Sequence, residues 1–102
     1  MNAYDFDLEI TKTAGRQSVG GVWVTGLVNE RYRFDALVFA EHAESEDYEL
    51  EGSRISKLWI RDKHARKTVF NFDRGLDVPA ADAETAAVVE FLCEGLADLI
   101  HG

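Results

Sequence analysis

Few residues in this chain are of types that do chemistry. The candidate bases, ligands and nucleophile are His42, His64, His101 and Cys93. The histidines fall in an acidic stretch, a hairpin link and a chain end, with neither metal-ligand nor triad spacing, so they read as solvated surface groups. A thiol nucleophile needs a base beside it; no motif supplies one, and Cys93 reads as a small hydrophobe in a helix. The run Glu41, Glu44, Glu46, Asp47, Glu49, Glu51 has the carboxylates a hard cation wants but neither the order nor the central glycine of an EF-hand. It reads as a solvated charge run. No phosphate loop, dinucleotide fingerprint or Gly-x-Ser-x-Gly elbow is present. No catalytic residue, cofactor or metal ligand is assigned, and the leaning is away from an enzyme.

The most suggestive grouping is basic. Lys57, Trp59, Arg61 and Lys67 lie in two neighbouring strand-like runs and are expected on one outer face. Such a surface suits a protein contact, since Trp and Arg are enriched at hot spots, or a nucleic-acid platform. The charge balance favours the protein contact. The formal net charge is −8 over 102 residues, which disfavours non-specific binding to nucleic acid or anionic membrane. Seven of the eleven Lys and Arg residues lie between Arg54 and Arg74.

One cysteine permits no intrachain disulfide and suits a reducing compartment. The first ten residues lack a basic n-region and an apolar h-region, so no signal peptide is expected. No apolar run approaches the roughly 18 residues of a membrane span. The expected location is the cytoplasm. The length fits one domain over residues 1–102, burying roughly 60–70% of its unfolded surface without staples.

The elements that must position the basic face follow from periodicity. Tyr4, Phe6, Leu8 and Ile10 alternate with polar residues and predict a strand over about 4–11. Residues 13–21 read as a link. Two further strands are expected over about 22–29 and 32–39, joined by a tight turn at Asn29-Glu30-Arg31, with Gly26 marking a bulge or a close backbone approach. Tyr48 and Leu50 alternate with acids, and a short edge strand is expected there. The hairpin 55–61/67–72 follows. In it Leu58, Ile60, Phe70 and Phe72 share one face, and Ile55, Lys57, Trp59, Arg61, Lys67, Val69 and Asn71 the other. Asn71, Asp73, Arg74, Gly75 and Asp77 form a candidate structural turn, with Arg74 paired to a nearby carboxylate or to Glu51. Leu76–Ala81 reads as a link. From Asp82, Val88, Val89, Leu92, Leu96, Leu99 and Ile100 recur at helical steps, predicting a helix over about 82–100, capped by Asp82 or Asp77. Gly95 suggests that something packs close to it.

The expected architecture is α+β: an antiparallel meander of four or five strands with one C-terminal helix on one face. Several strands are apolar on both faces, and one helix covers only one. A homodimer, or a protein partner, is therefore expected on the other. The first functional expectation is a binding or interaction domain without evident catalysis. The alternatives are an acidic inhibitor or immunity-like protein presenting its carboxylates to a basic target, and a weak nucleic-acid binder through the basic hairpin.

The stretches Trp23-Val24-Thr25-Gly26, Tyr32-Arg33-Phe34-Asp35-Ala36, Glu51-Gly52-Ser53-Arg54-Ile55-Ser56-Lys57-Leu58-Trp59-Ile60 and Asn71-Phe72-Asp73-Arg74-Gly75-Leu76-Asp77 carry a resemblance. They resemble a family of small uncharacterised bacterial and phage domains. Its members tend to read Gly-Arg-Ile-Ser-Lys-Leu and Asn-Tyr-Asp-Arg-Gly-Trp-Asp at the last two places. Here Ser53 separates Gly52 from Arg54, and Phe72 and Leu76 replace two aromatics. The resemblance covers about half the chain and implies a domain of unknown function, with no catalytic residues to carry over and a phage or mobile-element association.

Overall fold

The structure, a computed structural model, describes residues 5–16 and 21–102. Six strands form one antiparallel meander: β1 (Leu8–Arg16), β2 (Gly21–Val28), β3 (Tyr32–Phe39), β4 (Ile55–Asp62), β5 (Lys67–Asp73) and β6 (Leu76–Val78). One helix, α1 (Ala83–His101), follows. The α+β class and the single C-terminal helix are as expected. The strand count is corrected to six, because Leu76–Val78, read as part of a link, pairs with β5 through Asn71↔Val78 and Phe72↔Leu76.

The first strand also shifts. It starts at Leu8 and runs on through Thr13–Arg16, residues expected in a link, because Thr13 and Ala14 pair with Val24 and Trp23. Tyr4 and Gln17–Gly20 lie outside the described residues. The short strand expected near Tyr48 is instead a 3-10 turn over Glu46–Tyr48.

The β2–β3 turn takes the expected place. Asn29 and Glu30 both have positive φ, 55° and 57°, and the Arg31 amide donates to the Val28 carbonyl at 3.1 Å. Two consecutive left-handed residues make the tight turn, and Val28 pairs with Tyr32 across it. Gly26 is a close approach, as expected. A Cβ there would stand 2.5 Å from the Glu9 carbonyl oxygen and 2.8 Å from Phe34 Cζ. Gly95 is not, because a Cβ there would meet nothing within 4 Å.

The core lies between α1 and one sheet face. Val24, Val28, Phe34, Ala36, Val38, Ile55, Leu58 and Ile60 are fully buried there, under Val88, Leu92 and Leu96. The helix stripe is as expected except at Leu99, which is 61% exposed. Two β-bulges change the face assignment. Between Leu37 and Val38 the β3–β4 register skips Ser56, so Ile55 pairs with Val38 and joins the core. Between Ile60 and Arg61 the β4–β5 register skips Val69, which is 2% exposed and also in the core. Both had been expected on the outer face. Period-two reading fails at a bulge, because the extra residue shifts the alternation by one.

The helix is fixed at both ends. At its start the Asp82 carboxylate accepts from the Thr85 amide at 2.8 Å, the expected cap. Beside it Arg31 holds Asp62 through two bonds, Nε at 3.2 Å and a terminal nitrogen at 2.9 Å, and reaches Glu84 at 3.3 Å. Asp62 is buried at the hairpin end and also accepts from the His64 and Ala65 amides. The Arg31 guanidinium and these two amides hold its carboxyl down at about 2. At the helix end Arg54 meets Asp98 at 2.6 Å, and the His101 ring donates from Nε2 to the Val38 carbonyl at 3.1 Å. His101 is thus half-buried and fastened, not a solvated surface histidine.

Candidate interaction surface

The sheet face turned away from α1 is assembled by register. Paired residues share a face, so the ladder partners give its rows directly. One row is Glu9, Leu27, Arg33, Arg61 and Thr68; the next is Lys12, Thr25, Asp35, Trp59 and Asn71; the third is Ala14, Trp23, Leu37, Lys57 and Asp73.

Lys57, Trp59 and Arg61 stand together on this face as expected. Lys67 does not. The Val69 bulge pairs Lys67 with Asp62, on the helix side at the hairpin tip. Its place beside Arg61 is taken by Thr68 across β5 and by Arg33 across β3. Arg33 was missed. Its strand alternation put it on the right face, but only the register shows that it abuts Arg61. Both side chains are exposed, and like charges directly opposite are mutually unfavourable.

The aromatic part packs over itself. Trp59 Nε1 donates to Thr68 Oγ1 at 3.0 Å, Lys57 meets Asp73 at 3.4 Å, and Thr25 donates to Asp35 at 2.6 Å. Leu37 is only 3% exposed although no helix lies above it. Gly21 makes room for this packing: a Cβ there would stand 3.0 Å from Leu37 Cδ1 and from Phe39 Cε1. Trp23, Leu27, Phe39 and Trp59 are half-buried. The open face is a partly covered aromatic surface with a shallow groove between Trp23 and Trp59, not a bare apolar sheet.

The candidate turn is tied at its backbone by two hydrogen bonds. The Asp73 amide donates to the Gly75 carbonyl at 2.9 Å and the Arg74 amide to the Ser56 carbonyl at 3.1 Å. Arg74 itself takes φ 53°. Its expected ion pair is absent among the described residues: Asp73 goes to Lys57. Asn71 pairs with Trp59 and Val78, and Asp77 is exposed within β6.

Of the chemical residues, Cys93 is partly buried, and burial pushes its thiol up to about 12. It is a protonated thiol at neutral pH, not an activated nucleophile. In the acidic loop Glu49 is buried and accepts from the Ala43 amide at 3.1 Å and the His42 ring at 2.9 Å. That carboxylate shapes the loop. His64 is exposed at the hairpin tip. No helix is long and apolar enough to cross a membrane among the described residues.

A family profile matches residues 22–97, and its description is a domain of unknown function, DUF7678. No curated protein and no solved structure matches the chain.

Proposed function

The chain belongs to this family of unknown function, DUF7678, and we propose that it is a non-catalytic binding domain that pairs with a second copy of itself through the open sheet face. The observation that carries the reading is the charge of that face. Its three rows hold three acids, Glu9, Asp35 and Asp73, against four bases, Lys12, Arg33, Lys57 and Arg61. The net charge of these rows is +1 on a chain of −8, so everything else sums to −9. Two such molecules repel least when these faces meet, and each face carries both signs for the other to answer. Arg33 and Arg61, unfavourable neighbours in one copy, gain most from carboxylates brought by another.

Size agrees. Five strands about 4.8 Å apart, each about eight residues of 3.3 Å, span about 600 Å² in plan. That is the scale of one side of a standard interface, roughly 800 Å². Half-buried Trp23 and Trp59 are the hot-spot types such a centre uses.

Sedimentation equilibrium from micromolar to about 200 μM tests the reading. The expected result is a reversible dimer that Trp59→Glu converts to monomer without loss of fold. A monomer across the whole range, or a dimer indifferent to Trp59→Glu, overturns it.

A second reading is favoured by the Arg33–Arg61 pair beside Trp59: a single nucleic-acid strand stacked on the indole with phosphates on the arginines. It requires quenching of Trp59 fluorescence by an oligonucleotide, with affinity falling steeply as salt rises. An acidic inhibitor-type role is less well supported, because Glu49, the loop's buried carboxylate, is spent inside the loop.

A further inference from the structure

A cleft of about 710 Å³ opens at the end of the sheet where the β3–β4 loop meets the β5–β6 turn, bounded by Phe39, Glu41, Glu44, Tyr48, Arg54 and Arg74. Its volume lies in the range of small-molecule sites. It borders the open face at Phe39 but is lined mainly by the β3–β4 loop and the β5–β6 turn, and its polar groups divide into spent and unspent.

Arg54 is spent: its guanidinium donates to the Ala40 carbonyl at 3.0 Å and to Asp98 at 2.6 Å. Glu49, at the same wall, is spent on His42 and the Ala43 amide. Arg74 is not. Its guanidinium has no carboxylate partner among the described residues, while adjacent Asp73 answers Lys57. The chain also holds Arg74 at φ 53°, one residue before Gly75. A side chain in that region costs backbone strain that glycine avoids. Beside these, Ser56 lines the cleft and is 7% exposed, and its hydroxyl is buried with no hydrogen-bond partner. Native structures rarely leave such a group unpaired without a reason. Phe39 is half-buried and Tyr48 is 55% exposed, an aromatic wall open to solvent.

We propose that this cleft binds a small monocarboxylate carried on an apolar body, with its carboxylate on Arg74 and its body against Phe39 and Tyr48. A guanidinium takes a carboxylate through two parallel bonds. Arg74 is the one unspent cation of the lining, and Glu41 and Glu44 on the same lining limit it to a single negative charge and repel a dianion such as phosphate. The same two glutamates would receive an ammonium, so the ligand is either a plain organic acid or an amino acid.

The test is a ¹H–¹⁵N correlation titration of the full chain with 3-phenylpropanoate, phenylalanine, phenylalaninamide and inorganic phosphate. Saturable shifts at Tyr48, Ser56 and Arg74 are expected from at least one of the first two, below about 10 mM, the range of weak ligands. The amide and phosphate should give none. Tighter binding of phenylalanine identifies an amino-acid site using Glu41 and Glu44; tighter binding of the plain acid identifies an organic-acid site. Arg74→Gln, which keeps the backbone strain and whose fold the same spectra report, should weaken binding by about tenfold or more. Absence of saturable shifts, equal binding of the amide, or unchanged affinity in Arg74→Gln overturns the proposal.

Discussion

The side of the sheet under α1 and the side turned away from it are built by the same strands, and both carry large apolar residues. Under α1, Phe34, Leu58 and Ile60 are fully excluded from water by a second layer. On the other side Leu37 reaches nearly the same burial, 3% exposed, with no second layer at all. Its cover comes from within the face, where Phe39 and Leu37 lean over Gly21 and Trp59 is held by Thr68. The first kind of burial is finished within one chain. The second leaves half-buried indoles among charged side chains, a surface only partly shielded from water.

The largest expected effect separates the two sides. Phe34→Ala should cost about 3–5 kcal/mol, and Leu37→Ala about 2–3 kcal/mol, by chemical denaturation of the monomeric protein. If Leu37→Ala costs less than about 0.5 kcal/mol, a surface-like value, the open face has no core of its own and the comparison fails.

A smaller effect concerns the tie between the hairpin end and the helix start. Asp62 titrates near 2 in the folded chain, below its unfolded value near 4. Its contribution is therefore present above about pH 4 and lost as pH falls from there toward 2. Asp62→Asn should lower Tm at neutral pH, and the gap to wild type should close over that window. A gap that stays constant from pH 7 to 2 would show that the charge on Asp62 contributes nothing. Because the pair lies at the rim of the helix-covered side, Asp62→Asn should not alter self-association.

The smallest effect is at the turn. Arg74→Gly relieves a positive φ but loosens the unfolded chain, so stability should change by no more than about 1 kcal/mol, in the stabilising direction. A drop of several degrees in Tm would make the Arg74 side chain a structural support and remove the reason to look for a ligand there.

Much of the fold was legible because the signals are local. The helix stripe and the Asp82 cap lie within single turns of chain, and the Asn29-Glu30 turn is a short-range preference. Gly26 was legible as a bulge or a close approach, and the tertiary structure decided for the second. The misreadings of face share one cause. Ile55, Val69 and Lys67 were placed by counting twos along the chain, and a bulge breaks that count without leaving a residue type that marks it. Leu76–Val78 was missed because three residues beside a proline carry no periodicity. Leu99 was misplaced because at the helix end it is Ile100 and His101 that meet the core and β3, which leaves Leu99 turned to solvent.

What the sequence by itself determined is therefore the five longer strands, the helix, the class of fold and the one helix-covered core, since hydrophobic period and capping act over a few residues. Register decided the rest. It set Arg33 against Arg61, moved Lys67 to the far side, and brought Arg74 to the same cleft as Tyr48 and Arg54. Those neighbours lie 20 or more residues apart in pairs such as 33 and 61 or 54 and 74. Their meeting depends on where two bulges slip the ladder, a balance of packing over the whole sheet that no local window contains.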